Sequence, residues 1–298
     1  MENGDFLVKS LISAFDARLS GLYSREEIRL LIYMVFEEYL EWSRTKVHIS
    51  YNEQIPESLM PLFIKVLQEL SEGKPIQYIL GKAWFNGSWF KVDNRVLIPR
   101  PETAELCELV AASVAGHHHE GISVLDIGTG SGCIAIDLKK RLPRAVVTGL
   151  DFSEAALEVA GGNARENRCE ITLVKADILS EKEQAGLGMF NLIVSNPPYV
   201  TESEKDQMGR HVKDFEPSHA LFVPDHEPLQ FYLAIAAFSR AHLDGPGLLF
   251  FEINERFGME IRDHLLGIGF AGVEILQDIH GKDRFIKAVS ESPSTPHR

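Results

Sequence analysis

The first 81 residues carry apolar side chains at helical spacing. Near the amino terminus, apolar residues recur every three or four positions, which predicts an amphipathic helix; they are Phe6, Leu7, Leu11, Ile12, Phe15 and Leu19. Ser24 and Glu27 have the S-x-x-E spacing of a capping box, and an apolar-periodic stretch follows them, so a second helix is predicted to begin there. A further helix is predicted over residues 57–70, disturbed by Pro61. We therefore expect residues 1–81 to form a small helical bundle.

The next segment, residues 82–100, has the pattern of a β-hairpin. Aromatic residues stand on both sides of the dipeptide Asn86-Gly87. Asn-Gly between β-favouring residues is a strong hairpin signal, because both turn positions need a left-handed backbone. Pro99-Arg100-Pro101 then marks the start of a second domain. We expect residues 82–100 to be a hairpin that links the two domains.

From residue 101 to residue 290, predicted strands and helices alternate. The predicted strands are Ser123 to Ile127, Val146 to Leu150, Ile171 to Ala176, Phe190 to Ser195, Gly247 to Ile253, Val273 to Asp278 and Phe285 to Val289. The predicted helices between them cover residues 133–141, 153–165, 228–243 and 257–267. This alternation is typical of an α/β fold with a mostly parallel sheet covered on both faces. The last two strands are expected to form an antiparallel edge hairpin, and residues 291–298 a flexible tail.

Composition narrows the choice of partners. Acidic residues outnumber basic ones 43 to 30, and the formal net charge is −13, whereas sequence-independent nucleic-acid binding depends on clustered Lys and Arg. No apolar run reaches the length of about 18 residues that a membrane helix needs. Glu2 and Asp5 stand where a signal peptide carries basic residues. We therefore expect a cytoplasmic protein that binds no membrane and no nucleic acid directly, and we take it to be a monomer.

Cysteine and histidine residues provide two features that resemble metal ligands. Cys107, Cys133 and Cys169 are far apart and form no Cys-x-x-Cys pair, so they are interpreted as buried thiols. The run His117–His119 precedes a predicted strand and is interpreted as a solvated loop. No metal site is predicted.

A glycine-rich loop follows the first predicted strand of the sheet. After Asp126 and Ile127 comes the run Gly128-Thr129-Gly130-Ser131-Gly132, and glycine lets the backbone turn sharply and approach a ligand closely. Alone, the run is also compatible with a dinucleotide site or a plain tight turn. Its spacing differs from the G-x-G-x-x-G dinucleotide pattern, and the Walker pattern with its lysine is absent from the sequence.

Acidic residues at the ends of the next two predicted strands indicate which kind of ligand the glycine-rich loop binds. Asp151 would accept hydrogen bonds from both hydroxyls of a ribose, while Asp177 and Ile178 would offer an acceptor and an apolar wall to an adenine. Each acid could instead cap a helix. Three strand-end acids without a phosphate-binding lysine favour a cationic, phosphate-free adenosyl ligand, and S-adenosyl-L-methionine is therefore the predicted cofactor. The predicted cofactor-binding residues are Asp126, Gly128, Thr129, Gly130, Ser131, Gly132, Asp151, Asp177, Ile178 and Asn196.

The fourth predicted strand leads into Asn196-Pro197-Pro198-Tyr199. A turn that stops the strand would explain the prolines but not the residues beside them. An amide nitrogen is a poor nucleophile, because its lone pair is delocalised. The Asn196 Oδ1 and the Pro197 carbonyl could each accept one N–H of such a nitrogen and stabilise the positive charge that develops on methylation, and Tyr199 would supply an apolar face. Asn196, Pro197 and Tyr199 are the predicted catalytic residues.

Together with these motifs, other segments resemble the HemK-type N5-glutamine methyltransferases of peptide chain release factors. The similarity covers nearly the whole chain and is strongest from about residue 74 to residue 290. The segments are Pro75-x-Gln77-Tyr78-Ile79-x-Gly81, Phe85-x-Gly87-x-x-Phe90, Leu97-Ile98-Pro99-Arg100-Pro101-Glu102-Thr103 and Phe215-Glu216-Pro217. The Asn-Pro-Pro-Tyr motif alone is shared with adenine-N6 DNA methyltransferases, whereas its combination with residues 97–103 is highly specific.

The resemblance implies a class I, Rossmann-like methyltransferase domain over residues 101–290 and a helical, substrate-recognising domain over residues 1–81. It also implies that S-adenosyl-L-methionine is the donor and that the acceptor is the glutamine of a release factor's Gly-Gly-Gln loop. The predicted substrate-binding residues are Asn196, Pro197, Pro198, Tyr199, Phe85 and Arg100.

Three alternatives stay open at this point. The acceptor glutamine could belong to a ribosomal protein, because nothing in the sequence marks the recognition surface. An adenine methyltransferase shares the same motif but fits the acidic balance poorly. A degenerate donor-binding fold would have lost Asn196 or the glycines, and neither is lost. His211 and His219 lie in a long connection and could be catalytic, but a solvated or structural role is the better interpretation.

Overall fold

The structure is a computed structural model that describes residues 7–114 and 121–290. The run His117–His119, the acidic amino-terminal residues and the tail expected over residues 291–298 lie outside the described residues. Contacts within the chain divide it into two compact units. The first comprises residues 1–81 and 209–215, and the second comprises residues 82–208 and 216–298.

The first unit is helical up to residue 81. Its α-helices are α1 (Val8–Leu19), α2 (Arg25–Leu40), α3 (Arg44–Ile49), α4 (Met60–Ser71) and α5 (Ile76–Leu80). Phe15, Phe36 and Phe63 are fully buried at the centre of its own hydrophobic core. Pro61 does not disturb a longer helix, because a 3-10 turn over residues 57–59 comes first and the proline lies in the opening turn of α4, where no intrahelical N–H is needed.

Helix α2 begins with the capping box that the sequence predicts. The backbone N–H of Glu27 donates to the Ser24 Oγ over 3.2 Å, and the Ser24 N–H donates to the Glu27 carboxylate over 2.7 Å. The second bond lowers the pKa of Glu27, since it favours the charged form. Two N–H groups at the helix start are thereby satisfied.

We expect Ser24→Ala to lower the free energy of unfolding by about 1 kcal/mol, because the Glu27 N–H loses its acceptor. Urea unfolding followed by circular dichroism measures the change. Ser24→Thr keeps the hydroxyl and serves as the control, which should stay close to wild type. Equal stabilities of the alanine variant and wild type would show that the cap does not contribute.

The second unit begins with a hairpin of two strands, β1 (Lys82–Phe85) and β2 (Ser88–Lys91). Asn86 and Gly87 have φ angles of 46° and 85°, as a two-residue turn of primed type requires. The predicted hairpin is confirmed but shorter than expected, since residues 92–100 contain no strand.

The remaining α-helices and strands mostly alternate. They are α6 (Pro101–Val114), β3 (Ser123–Ile127), α7 (Cys133–Arg141), β4 (Val146–Asp151), α8 (Glu154–Glu166), β5 (Thr172–Lys175), α9 (Glu181–Gln184), β6 (Phe190–Ser195), β7 (Val200–Thr201), α10 (Arg210–Lys213), α11 (Ser218–Leu221), β8 (Phe222–Val223), α12 (Gln230–His242), β9 (Leu243–Glu252), α13 (Gly258–Gly267), β10 (Phe270–Gln277) and β11 (Asp283–Ser290). Helix α10 belongs to the first unit and the others to the second.

Seven of these strands form one mixed sheet in the order β10-β11-β9-β6-β3-β4-β5. Neighbouring strands from β9 to β5 in this order are parallel, and β11 pairs antiparallel with both β9 and β10. Strand β3 has β4 on one side and β6 on the other, so the strand order reverses there. In such sheets a ligand crevice opens at the carboxyl ends of the strands beside this point.

Alternate residues of each central strand pack in two separate hydrophobic cores, one on each face of the sheet. Val124 packs in a core with residues of α6 and α7, whereas its neighbour Leu125 packs in a core with residues of α12 and α13. The α/β class, the doubly covered sheet and the antiparallel hairpin at its edge are confirmed. Within the described ranges, no helix combines the length and apolarity needed to cross a bilayer.

Candidate active site

A cavity opens at the carboxyl ends of β3, β4 and β6 in the second unit. It contains about 730 Å³ of empty space, part of it open to solvent, between the glycine loop and the Asn196–Pro198 segment. Side chains from the segment after β5, from the start of α8, from α12 and from residues 95–97 and 219–220 contribute to its wall. The cavity therefore lies where the reversal of strand order predicts a ligand site.

The glycine loop presents its backbone to this cavity. Gly128, Gly130 and Gly132 have φ angles of 75°, 54° and 80°, which an L-residue with a Cβ rarely adopts. Gly128 and Gly130 line the cavity, and a Cβ added to Gly128 would meet no protein atom within 4 Å. Gly132 has a different role, because its Cβ would lie 3.2 Å from Ala160, so the absence of a side chain allows close packing against α8.

Asp126, at the end of β3, lies behind the loop and not on the cavity wall. Its Oδ2 accepts hydrogen bonds from the Thr129 hydroxyl over 2.6 Å and from the Ala135 N–H over 3.2 Å. The side chain is fully buried, and burial raises its pKa to about 7. Thr129 and Ser131 are likewise buried and do not line the cavity. Asp126 thus fixes the shape of the loop that faces the ligand space.

Asp151 ends strand β4, as predicted, and lines the cavity. Its Oδ2 accepts the N–H of Gly130 over 2.9 Å, and its Oδ1 accepts the N–H of Ser153 over 2.9 Å. Burial raises the pKa of this carboxyl group. Each carboxylate oxygen can accept a second hydrogen bond, so the carboxylate can hold the loop and still receive two hydroxyl groups of a ligand.

The third strand ends earlier than expected. Strand β5 stops at Lys175 and not at Asp177. The Asp177 carboxylate accepts the Leu179 N–H, and the backbone N–H of Asp177 donates to the Glu183 carboxylate. These bonds hold a turn, so the backbone leaves the sheet here. Asp177 and Ile178 nevertheless line the cavity, and Ile178 is buried. The acceptor and the apolar wall are both present, on a turn instead of a strand end.

Asn196 follows the last residue of β6 and lines the cavity together with Pro197 and Pro198. The hydroxyl of Ser195 donates to the Ile127 carbonyl over 2.7 Å and ties β6 to β3 at this point. The Asn196 Nδ2 donates to the Thr103 Oγ1 over 3.0 Å. The amide nitrogen is thereby turned towards α6, and the amide oxygen points to the opposite side of the group.

Tyr199 does not line the cavity. Its hydroxyl donates to the Glu252 Oε1 over 3.1 Å, and its ring packs against the core that contains α12. Burial raises the pKa of the Tyr199 phenol. Glu252, the last residue of β9, is itself buried and also accepts the Thr103 hydroxyl over 2.7 Å. Thr103 and Glu252 therefore form a hydrogen-bonded group with Asn196 and Tyr199, the first and last residues of the Asn-Pro-Pro-Tyr segment.

The two other predicted substrate-binding residues lie away from the cavity wall. Phe85 is 3% exposed and packs edge-to-face against Phe90 in the core of the sheet. Strand alternation exposes Trp84 and turns Phe85 inwards, so the structure gives no support to a contact between Phe85 and the substrate, which stays a prediction. Arg100 is partly exposed and pairs with the buried Glu216 over 2.5 Å, so its contact with substrate stays a prediction.

Several cavity-lining residues are not predicted from the sequence. Phe152 follows Asp151 and contacts His219 edge-to-face, with ring centroids 5.2 Å apart, and both line the cavity. The position of Phe152 beside a strand-end acid is a signal that could have identified it. His211, the other histidine considered, belongs to the first unit, and its charge lowers the pKa of Glu27.

Comparisons with known proteins agree over both parts of the chain. Residues 108–213 match the family model of the methyltransferase small domain, and residues 10–81 match that of the PrmC N-terminal domain. The chain is 38% identical to the release factor glutamine methyltransferase of Flavobacterium psychrophilum over 94% of this chain and 98% of that protein. It is 39% identical to the protein of the same name from Bacteroides thetaiotaomicron, over 91% and 95% of the two chains. The chain belongs to the family of release factor glutamine methyltransferases.

Proposed function

We propose that this enzyme transfers a methyl group from S-adenosyl-L-methionine to the side-chain amide nitrogen, N5, of the glutamine in the Gly-Gly-Gln loop of peptide chain release factors. The names of its relatives support the acceptor. The observation that carries the proposal is the Asn196 side chain, fixed through its nitrogen at the wall of a cavity that also contains Asp151 and the glycine loop.

The residues around the cavity fit the proposed donor. Gly128 leaves open space where a Cβ would stand, Asp151 retains acceptor capacity for two hydroxyls, and Ile178 adds an apolar wall. The cationic Arg95 also lines the cavity, but it is paired with Asp93 and Glu158. When bound, the donor supplies an electrophilic methyl group.

The Asn-Pro-Pro-Tyr segment would bind and orient the acceptor amide. The Asn196 Oδ1 and the Pro197 carbonyl each accept one N–H of the glutamine, which holds its nitrogen towards the methyl group. The same two oxygens stabilise the positive charge that grows on the nitrogen as it is alkylated. The ring of Pro197 restricts the backbone around its carbonyl, so little reorganisation is needed.

The proposed acceptor class and cellular compartment depend on the charge of the protein and on its substrate. The net charge of −13 supports a protein acceptor rather than a nucleic acid. A release-factor substrate supports action in the cytoplasm, where translation terminates. The monomeric state stays a prediction, and light scattering of the purified protein in solution measures it.

Mass spectrometry of the reaction products tests the proposed function. We expect one methyl group on the loop glutamine of a purified release factor after incubation with the enzyme and donor, and none on a release factor whose loop glutamine is replaced by alanine. Ribosomal proteins and duplex DNA in parallel reactions test the two alternative acceptors. Methylation of either, with none on the Gly-Gly-Gln loop, would overturn the proposal.

A further inference from the structure

Three side chains form a hydrogen-bonded chain that leads from the interior to Asn196. Glu252 is 1% exposed and Thr103 is 3% exposed, and neither lines the cavity. Glu252 Oε2 accepts from the Thr103 hydroxyl over 2.7 Å, and the Thr103 Oγ1 accepts from the Asn196 Nδ2 over 3.0 Å. The three residues come from β9, α6 and the end of β6, and only Asn196 reaches the cavity.

The direction of these bonds is fixed by what each group can donate. An ionised carboxylate has no hydrogen and only accepts, and a threonine hydroxyl has a single hydrogen. Because Thr103 gives that hydrogen to Glu252, its oxygen can only accept from Asn196. The amide of Asn196 must therefore turn its NH₂ group towards Thr103, since its oxygen would face another acceptor in the flipped orientation.

The orientation matters because the two ends of an amide have opposite hydrogen-bonding character. With the nitrogen bound to Thr103, the amide oxygen is the end left to accept an N–H of the acceptor glutamine. In the flipped orientation, an NH₂ group would oppose that N–H, and two donors do not bind each other.

We infer that Thr103 and Glu252 are positioning residues of the methyl transfer, which hold the Asn196 amide with its oxygen directed at the acceptor nitrogen. The inference rests on the proposed function, since it assigns Asn196 Oδ1 the role described there. Tyr199 joins the same group through the second oxygen of Glu252, so the carboxylate links both polar residues of the Asn-Pro-Pro-Tyr segment.

The charge state of Glu252 gives this arrangement a pH dependence. Burial raises the pKa of Glu252 to about 7, although the bonds from Thr103 and Tyr199 favour the charged form. Below that pH the carboxyl gains a hydrogen and one of its oxygens becomes a donor, which removes the restriction on Thr103. The other ionisable groups that act on Glu252 or contact it are Arg284, Glu102, Cys133 and Tyr232.

Rate measurements on conservative variants test the inference. We expect Thr103→Val, which keeps the shape but removes the hydroxyl, to lower kcat for methylation of the release factor by about 10- to 100-fold, a loss of the order of one to two hydrogen bonds. Thr103→Ser restores the hydroxyl and should return kcat to within about 3-fold of wild type, a difference well under 1.4 kcal/mol. Donor affinity, measured by calorimetry, should change little in either variant.

The pH profile of kcat separates positioning from a packing effect. The wild-type profile should fall on the acid side near pH 7, and Glu252→Gln should lose this fall, because glutamine does not titrate. Asp137→Asn is the matched control: Asp137 is a buried carboxyl whose partners are Asn86 and Arg141, so its replacement should keep the profile. Burial also raises the pKa of Asp126 to about 7. If the fall of kcat on the acid side persisted in Glu252→Gln, we would assign that fall to Asp126, and the role of Glu252 would be overturned.

The other outcomes are equally distinct. Full kcat in Thr103→Val, or the same loss in Thr103→Val and Thr103→Ser, would overturn the positioning role while leaving the proposed function intact. No methylation by wild type in the same assay would overturn the proposed function and the inference with it.

Discussion

Replacing Asn196 with alanine should lower kcat for glutamine methylation by about 10²- to 10³-fold, the usual cost of removing one preorganised hydrogen-bonding group from a site of developing charge. The loss is expected in kcat because the proposed hydrogen bond from the acceptor N–H to the Asn196 oxygen becomes strongest when the acceptor nitrogen becomes positive. The contacts proposed for Gly128, Gly130 and Asp151 with the donor lie elsewhere on the cavity wall and should remain.

Single-turnover kinetics and calorimetry measure these two quantities separately. Asn191→Ala is the matched control, because Asn191 lies on β6, the strand that Asn196 follows, and its side chain accepts the Ser123 N–H and does not line the cavity. The control should lose stability and keep kcat. An Asn196→Ala enzyme with wild-type kcat would remove the role proposed for the amide, and one that no longer binds donor would show that Asn196 acts on the donor instead.

The sequence predicts the sheet well because its strands are buried on both faces. Strands β3 and β6 have the predicted bounds, since short, mostly apolar runs there end next to Gly128 and two residues before Pro197. Strand β9 begins at Leu243, four residues before the predicted start at Gly247. Its first residues pair with the start of β6, where the register shifts. This pairing is with a strand distant in sequence, so the alternation of apolar and polar residues within β9 does not reveal it.

The residues on the cavity wall are predicted better than the residues behind it. Gly128 and Asp151 follow strands whose ends the pattern locates, so their meeting at one edge of the sheet is predictable. Thr103 and Glu252 are 149 positions apart, and neither belongs to a motif whose spacing predicts their bond. Glu252 does end a parallel strand, the same signal that identifies Asp151, and a search of every strand end for acids would have found it.

Replacing Asp151 with alanine should weaken binding of S-adenosyl-L-methionine by about 100-fold, since hydrogen bonds to a charged group contribute about 1.5–3 kcal/mol each. The change removes the acceptor proposed for the ribose hydroxyls. It also leaves the N–H groups of Gly130 and Ser153 without the carboxylate that binds them, so the glycine loop loses one of its supports.

Isothermal titration calorimetry measures the donor Kd, and it is run at pH 8 because burial raises the pKa of the Asp151 carboxyl. Asp151→Asn keeps one acceptor oxygen and should give an intermediate Kd, because only one of the two backbone N–H groups can still be bound. Saturating donor should restore most of kcat in Asp151→Ala, since the residues proposed to hold the acceptor amide are unchanged. A wild-type Kd in Asp151→Ala would mean that the donor does not use the end of β4, and an unrecovered kcat at saturation would move Asp151 from binding to the chemical step.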